Sequence, residues 1–149
     1  MKRSLITLIL GICVFWGFSQ NDYNPPRNVS QSFQREYPQS QPSQWNHSSV
    51  GWKVTFEDRD HNNGEAVAHF DQSGRHVDTH IPYDEHDVPA PVRDHVRRSY
   101  AGSGDYEYTR IDRPGEQGVY MTHFRHHKRY RTVYVDYSGH ERDYRDRHD

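Results

Sequence analysis

The chain has 149 residues, with 19 basic and 21 acidic side chains and a formal net charge of −2. This near balance gives no reason to expect nucleic acid or an anionic membrane as a partner. Its single cysteine, Cys13, excludes an internal disulfide.

The N-terminus has the layout of a secretory signal peptide. Lys2 and Arg3 precede an apolar run over residues 5–18, and Gly17-Phe18-Ser19 places small residues at the −3 and −1 positions of a cleavage site. We predict a signal peptide over residues 1–19, with cleavage after Ser19. Losing Lys2 and Arg3 changes the net charge from −2 to −4. The alternatives are an uncleaved signal anchor and lipoprotein processing at Cys13.

The first half of the remaining chain predicts one helix followed by strands. Residues 20–28 contain two prolines and are predicted to form a flexible leader. In Val29-x3-Phe33-x3-Tyr37, apolar side chains recur at every fourth position, which places them on one side of a helix that Pro38 ends. Residues 45–81 alternate apolar and polar side chains between turn-forming segments, and this alternation predicts four antiparallel strands.

The second half repeats this order of features. Val88, Val92, Val96 and Tyr100 keep a strict four-residue spacing and predict a second helix, and residues 106–144 predict four more strands. Three landmarks recur at offsets of 63, 68 and 65 residues, which indicates a duplicated unit; the pairs are Tyr37 and Tyr100, Phe56 and Phe124, and Asp71 and Asp136.

We therefore predict an α+β fold, built as a tandem repeat of a helix plus four antiparallel strands over residues 29–86 and 87–149. Both helices are expected to pack on one face of the sheet, because each apolar helix stripe must cover an apolar sheet face. The residues predicted to be buried are the inward positions of the repeated elements: Phe33, Trp52, Phe56, Phe70, Val92, Val96, Phe124 and Val135.

The order of these motifs resembles the PepSY-like family of secreted bacterial proteins, which is described as similar to β-lactamase inhibitor protein. The resemblance covers residues 28–145 and rests on Phe33-x3-Tyr37-Pro38, the strand 52–56, the turn 68–74 and Val88-Pro89-x2-Val92. It implies tandem α/β units, a periplasmic or secreted location, no enzymatic activity, and binding or inhibition of a protein partner.

The exposed sheet face is the predicted binding surface. Tyrosine and arginine are enriched in protein interfaces, and the chain has 11 tyrosines. We predict that this face engages an envelope or extracellular protein; alternation sends about half of the strand tyrosines inward and leaves open which half. The candidate binding residues are Tyr106, Tyr108, Tyr120, Tyr134 and Arg125.

The histidines suggest the alternative function, a periplasmic protein that binds a metal or small ligand. His76 and Asp78 on one predicted strand, and His123 and His127 near a hairpin, are the candidate ligands. Positions two apart on a strand lie about 6.5–7 Å apart, so His76-x-Asp78-x-His80 on one straight strand cannot all reach one ion. An adjacent pair with a ligand from a neighbouring strand can do so.

No residue pattern predicts catalysis or a bound cofactor. Asp71 and Asp136 are the best-placed carboxylates for acid–base chemistry, but each opens an Asp-x2-Gly turn, where its predicted role is to cap backbone amides. Ser103 lies between two glycines but lacks the strand–turn–helix context of a nucleophile elbow, and no glycine-rich phosphate loop is present. We therefore predict a protein that is not an enzyme.

Overall fold

The computed structural model of the chain describes residues 24–58 and 64–144. The predicted signal peptide, Cys13 and residues 20–23 of the predicted leader lie outside these ranges. Residues 27–28 of that leader are the first residues of a helix, so the prediction of a flexible leader is wrong for these two residues. None of the helices in the described ranges has the length and apolar character needed to cross a membrane. The elements are α1 (Arg27–Glu36), β1 (Pro42–His47), β2 (Gly51–Asp58), β3 (Gly64–Asp71), β4 (His76–Tyr83), α2 (Ala90–Ser99), β5 (Gly104–Asp112), β6 (Val119–His126) and β7 (Arg129–Asp136).

All seven strands form a single antiparallel sheet, and their order in the sheet is their order in the chain. Strand β4 pairs directly with β5, from Thr79 opposite Asp112 to Tyr83 opposite Tyr108. The sheet therefore runs without a break across the boundary between the two predicted units.

The predicted fold class is wrong. The chain has a mostly-β fold, one seven-stranded sheet with two helices, and not a tandem repeat of a helix plus four strands. The predicted last strand, residues 140–144, contributes only an isolated bridge between Val135 and Glu141. Its sequence, His-Glu-Arg-Asp-Tyr, carries no aliphatic side chain that could cover a helix. Arg142 turns instead to the Asp136 carboxylate, with Nε 2.8 Å from Oδ2.

Both helices pack on the same side of the sheet, which we call the helix face. Val29 and Phe33 of α1 bury one cluster with side chains of β2, β3 and β4, and Val92 and Val96 of α2 bury a second with β5, β6 and β7. Tyr83 packs against both clusters. The opposite side of the sheet, which carries no helix, is the open face.

The predicted core is confirmed. All eight residues are buried, and their exposed fractions run from 0% to 9%. Burial at every fourth position of the helices and every second position of β2 and β3 follows from the periods of the two structures. Removing these apolar side chains from water is the main favourable term for the fold.

Candidate functional site

Asp71 and Asp136 have the structural role that their sequence predicts. Oδ1 of Asp71 accepts hydrogen bonds from the backbone N–H groups of Ser73 (2.9 Å) and Arg75 (3.0 Å). Oδ1 of Asp136 accepts those of Ser138 (2.9 Å) and His140 (3.0 Å). The His140 amide, together with Arg142, holds the pKa of Asp136 below its ordinary value. These carboxylates are therefore occupied in closing turns.

His76 lies on the helix face, away from the other predicted metal ligands. The pairing of β3 with β4 shifts register between His69 and Phe70, so that His76 lies opposite Phe70. Its ring packs 5.3 Å from that of Phe70, and its Nε2 lies 2.8 Å from Oγ1 of Thr79. Burial lowers the pKa of His76. Its neighbours give this histidine a packing role.

Asp78 is the centre of a polar cluster on the open face. Its side chain is fully buried. Oδ1 lies 2.8 Å from Nδ1 of His69 and 3.5 Å from Nε2 of His80, while Oδ2 lies 3.8 Å from Nε of Arg113. His69 lies directly across from Asp78 on the neighbouring strand, and His80 follows two residues later on the same strand. The structure thus brings two candidate ligands from β4, Asp78 and His80, close to a third from β3, His69.

The other two predicted ligands lie elsewhere and do not converge with Asp78. His123 is on the open face of β6, where its ring stacks on Tyr130 at 5.1 Å and Nδ1 lies 3.0 Å from Oγ1 of Thr132. His127 is exposed in the β6–β7 turn, with a positive φ of 47°. The four predicted metal ligands therefore occupy four separate places.

The predicted binding tyrosines divide between the two faces of the sheet. Tyr108 and Tyr120 are buried in the second core cluster, with 3% and 2% of their surface exposed, and Tyr106 packs against the same cluster. These three side chains are on the helix face. Tyr134 and Arg125 are on the open face, opposite Met121 and Tyr130 in the register of β6 with β7. Two of the five predicted residues, Tyr134 and Arg125, therefore share the open face.

Stacked aromatic pairs cover the β5–β7 end of the open face. Tyr134 stacks on Tyr144 with their ring centroids 4.6 Å apart, and the Arg113 guanidinium lies 4.1 Å above the Tyr144 ring. Tyr130 is 66% exposed and is stacked with His123. We call Tyr130, Tyr134, Tyr144 and Arg125 the open-face aromatic surface. Tyr130 and Tyr144 were missed as binding residues, although alternation from buried Val133 and Val135 predicts that Tyr130 points outward.

The β6–β7 hairpin is strongly basic. Residues 117–135 contain no Asp or Glu, while Arg125, Lys128, Arg129 and Arg131 all lie within this segment. Arg125 pairs with Asp105 at 3.0 Å. The other three have no acidic partner in the described part of the chain. The end of the molecule that carries the open-face aromatic surface therefore carries a local excess of positive charge.

Ser103 has a histidine neighbour but no further catalytic group. Its Oγ lies 2.6 Å from Nδ1 of His126, a distance that would suit a nucleophile and its base. Within the described ranges, no carboxylate contacts His126 to orient it. The pair joins the start of β5 to the end of β6, and its contacts indicate a structural role.

The fold has close counterparts among solved structures. A BLIP-like protein from Bacteroides fragilis superposes with a TM-score of 0.72 at 14% identity, over 85% of this chain and 89% of that one. The chain therefore has a BLIP-like fold. A DUF2874 family protein from Bacteroides ovatus (TM-score 0.71, 17% identity, 80% and 85% covered) and a candidate periplasmic protein from Bacteroides eggerthii (0.71, 14%, 80% and 86%) have the same fold.

Comparison of the sequence itself finds no match among family models or curated proteins. At 14–17% identity the solved structures establish the arrangement of helices and strands, and function must be argued from the residues on this sheet.

Proposed function

We propose that the protein is an exported, non-enzymatic binding module of the PepSY-like type, and that it engages a protein partner through the open-face aromatic surface. The observation that carries this proposal is the set of stacked tyrosines on the sheet face that no helix covers. A BLIP-like neighbour and a candidate periplasmic neighbour support a binding role outside the cytoplasm. The signal-peptide layout at residues 1–19 supports export.

The aromatic side chains on this surface are held in place before a partner arrives. Tyr134, a residue of β7, is stacked on Tyr144, and Tyr130 is stacked against His123 with only 9° between their ring planes. An aromatic side chain that is already ordered loses little conformational entropy on binding. Tyrosine and arginine are also the residues that most often dominate binding energy.

The charge of the same region selects an acidic partner. Arg125 lies on the open face, and Lys128, Arg129 and Arg131 follow around the hairpin. Complementary charge raises the association rate and disfavours basic partners. The partner is therefore a protein whose contact surface is acidic and contains apolar side chains that pack on tyrosine rings.

The test starts with capture of partners from the envelope fraction of the native host, followed by titration of the purified partner. Replacing Arg125 and Tyr130 by serine removes one charge and one exposed ring from the open face. We expect the dissociation constant to rise at least tenfold. Truncation of a tyrosine or arginine at an interface centre commonly removes more than ~1.4 kcal/mol of binding free energy.

The matched control removes charge from the same hairpin on the helix face. Arg131 lies opposite Phe124, and Arg129 lies opposite His126, so both belong to the opposite side of the strand from Tyr130. The double variant Arg129→Ser and Arg131→Ser should slow association at low salt and leave the dissociation rate nearly unchanged. Equal losses in the two double variants would show that the hairpin attracts partners by charge alone.

A further inference from the structure

The cluster around Asp78 has the composition of a metal site. His69, Asp78 and His80 each offer one ligating atom, and these atoms all lie within 4.8 Å of one another. Two of the ligands come from β4 and one from β3, so a single ion would join two strands of the sheet. We propose that these three side chains bind a divalent transition-metal ion of the Zn²⁺ class, with one coordination position left open to solvent or to a ligand.

Two of the three ligand–ligand distances are close to those that such an ion requires. Ligands held at about 2.0–2.2 Å from one Zn²⁺ lie at most about 4.4 Å apart, and about 3.3 Å apart in a tetrahedral site. Asp78 Oδ1 lies 2.8 Å from His69 Nδ1 and 3.5 Å from His80 Nε2. Asp78 Oδ1 and His69 Nδ1 are hydrogen-bonded to each other, so binding an ion would require these two atoms to separate by about 0.5 Å. Two imidazole nitrogens and one carboxylate oxygen are a known catalytic zinc ligand set.

Arg113 orients the carboxylate from its other side. Its Nε approaches Oδ2 of Asp78 at 3.8 Å, while both histidines approach Oδ1. Ligating carboxylates are commonly held in this way by a second shell of donors. The guanidinium charge also repels a cation, so the expected affinity is micromolar. His69 and His80 keep 15% and 19% of their side chains exposed, while Nε2 of His80 itself is buried, so the His80 ring must turn to admit an ion.

A second group of possible ligands provides a contrast. Asp84, His86 and Asp87 also bring their ligating atoms within 4.8 Å, but all three are exposed and lie in the segment between β4 and α2. They lack a buried carboxylate and a rigid strand on which to hold it. This group serves as the internal control.

The experiment is calorimetric titration of the purified, chelator-treated protein with ZnCl2. We expect one ion per chain with a micromolar dissociation constant, weakened at least about tenfold in either His69→Gln or His80→Gln. His86→Gln and His123→Gln should bind as the original protein does. Circular dichroism of each variant checks its fold, and both replaced histidines are partly exposed, so the sheet should remain intact.

A second readout uses the ion itself as a probe. Co²⁺ placed in a site with two histidines and one carboxylate gives visible absorption bands that depend on the ligands, and these bands should disappear in His69→Gln. Metal binding should also weaken as the pH falls, because a histidine ligand must be neutral. Binding that is absent, that involves several ions per chain, or that persists in both His69→Gln and His80→Gln would overturn the proposal.

Discussion

The carboxylate of Asp136 makes several hydrogen bonds that close the turn after β7. It closes the turn that follows β7, accepts backbone hydrogen bonds from Ser138 and His140, and contacts the Arg142 guanidinium with its second oxygen. Its side chain is 11% exposed. These contacts favour the charged form, which is why its pKa is lowered, first through the His140 amide.

This arrangement predicts how stability depends on pH. A carboxylate whose folded-state pKa is depressed stabilises the fold fully above its unfolded value of about 3.9, and that contribution is lost as the pH falls through the folded value. Asp136→Asn should therefore cost about 1 kcal/mol at pH 7 and progressively less below about pH 4. Urea denaturation at several pH values measures both quantities.

Asp105→Asn is the matched control for this prediction. Asp105 also pairs with an arginine, but its side chain is 60% exposed, so its loss should cost less than about 0.5 kcal/mol at any pH. A cost for Asp136→Asn that stays constant down to pH 3 would contradict the assignment of the effect to the carboxylate charge.

At the level of single residues, the sequence predicted side-chain direction only where a strand is regular. Alternation placed Phe56 and Phe124 in the core correctly, because the bulges beside these positions add a residue to β1 and to β5 and leave β2 and β6 regular. It grouped His76 with Asp78, and the register shift between β3 and β4 separated them. A bulge changes the face of the sheet that a side chain reaches. The sequence of residues 69–78 has no pattern that predicts this bulge.

The partner of Asp78 in the candidate metal site could not be read from one strand either. His69 meets Asp78 across the hairpin, and that contact depends on the register of β3 with β4. The intervening turn, residues 72–75, fixes the register. Prediction of His69 therefore requires the hairpin geometry as well as the strands.

Among the elements, the two Asp-x2-Gly turns at the ends of β3 and β7 pack directly against the two helices. Gly74 and Gly139, the glycines of these two turns, have φ values of +84° and +83°, a region that glycine adopts without steric cost. A Cβ at Gly74 would lie 3.0 Å from backbone atoms of Asn28 in α1, and one at Gly139 would lie 2.7 Å from the backbone oxygen of Pro91 in α2. Each turn therefore approaches the first turn of a helix too closely for any side chain.

Substitution of these glycines by valine should be strongly destabilising for two reasons. The positive φ costs about 1–3 kcal/mol, and the new side chain must also displace a helix. Gly102 separates the two effects, since its φ is +81° but nothing lies within 4 Å of its added Cβ. Gly74→Val and Gly139→Val should each cost more than Gly102→Val in urea denaturation. If all three variants lost the same unfolding free energy, the helices would be moving aside at no energetic cost, and the steric part of the prediction would be wrong.

Residues 140–144 do not form the predicted eighth strand. A turn signal and a tyrosine were not enough to predict a strand here. Residues 138–144 contain a turn signal and a tyrosine, which predicted a hairpin and a strand. Arg142 of this segment instead donates to the Asp136 carboxylate, Glu141 accepts a hydrogen bond from Tyr100, and the backbone makes a single bridge to β7. A strand is stabilised by the apolar side chains that it buries, and this segment buries none on the helix face.

Across the whole molecule, two core clusters are joined by one sheet. Each cluster belongs to a unit of about 60 residues, a size that is marginal for independent folding. Strands β4 and β5 pair over five residues between the units, and Tyr83 packs against both clusters. We infer that residues 29–144 unfold as one cooperative unit.

The tryptophans allow a direct test of this cooperativity. Trp45 and Trp52 both belong to the first cluster, so tryptophan fluorescence of the described chain reports on that cluster alone. Phe124, fully buried in the second cluster, lies in the other half of the sheet.

Phe124→Ala should destabilise the protein by about 3–5 kcal/mol. The urea midpoint should fall by the same amount whether fluorescence or far-ultraviolet circular dichroism is followed. Phe56→Ala, in the first cluster, should do the same, while Tyr130→Ala, on the exposed surface, should change stability by less than about 0.5 kcal/mol. If Phe124→Ala left the fluorescence midpoint in place while circular dichroism shifted, the two halves would be separate folding units joined only by the pairing of β4 with β5.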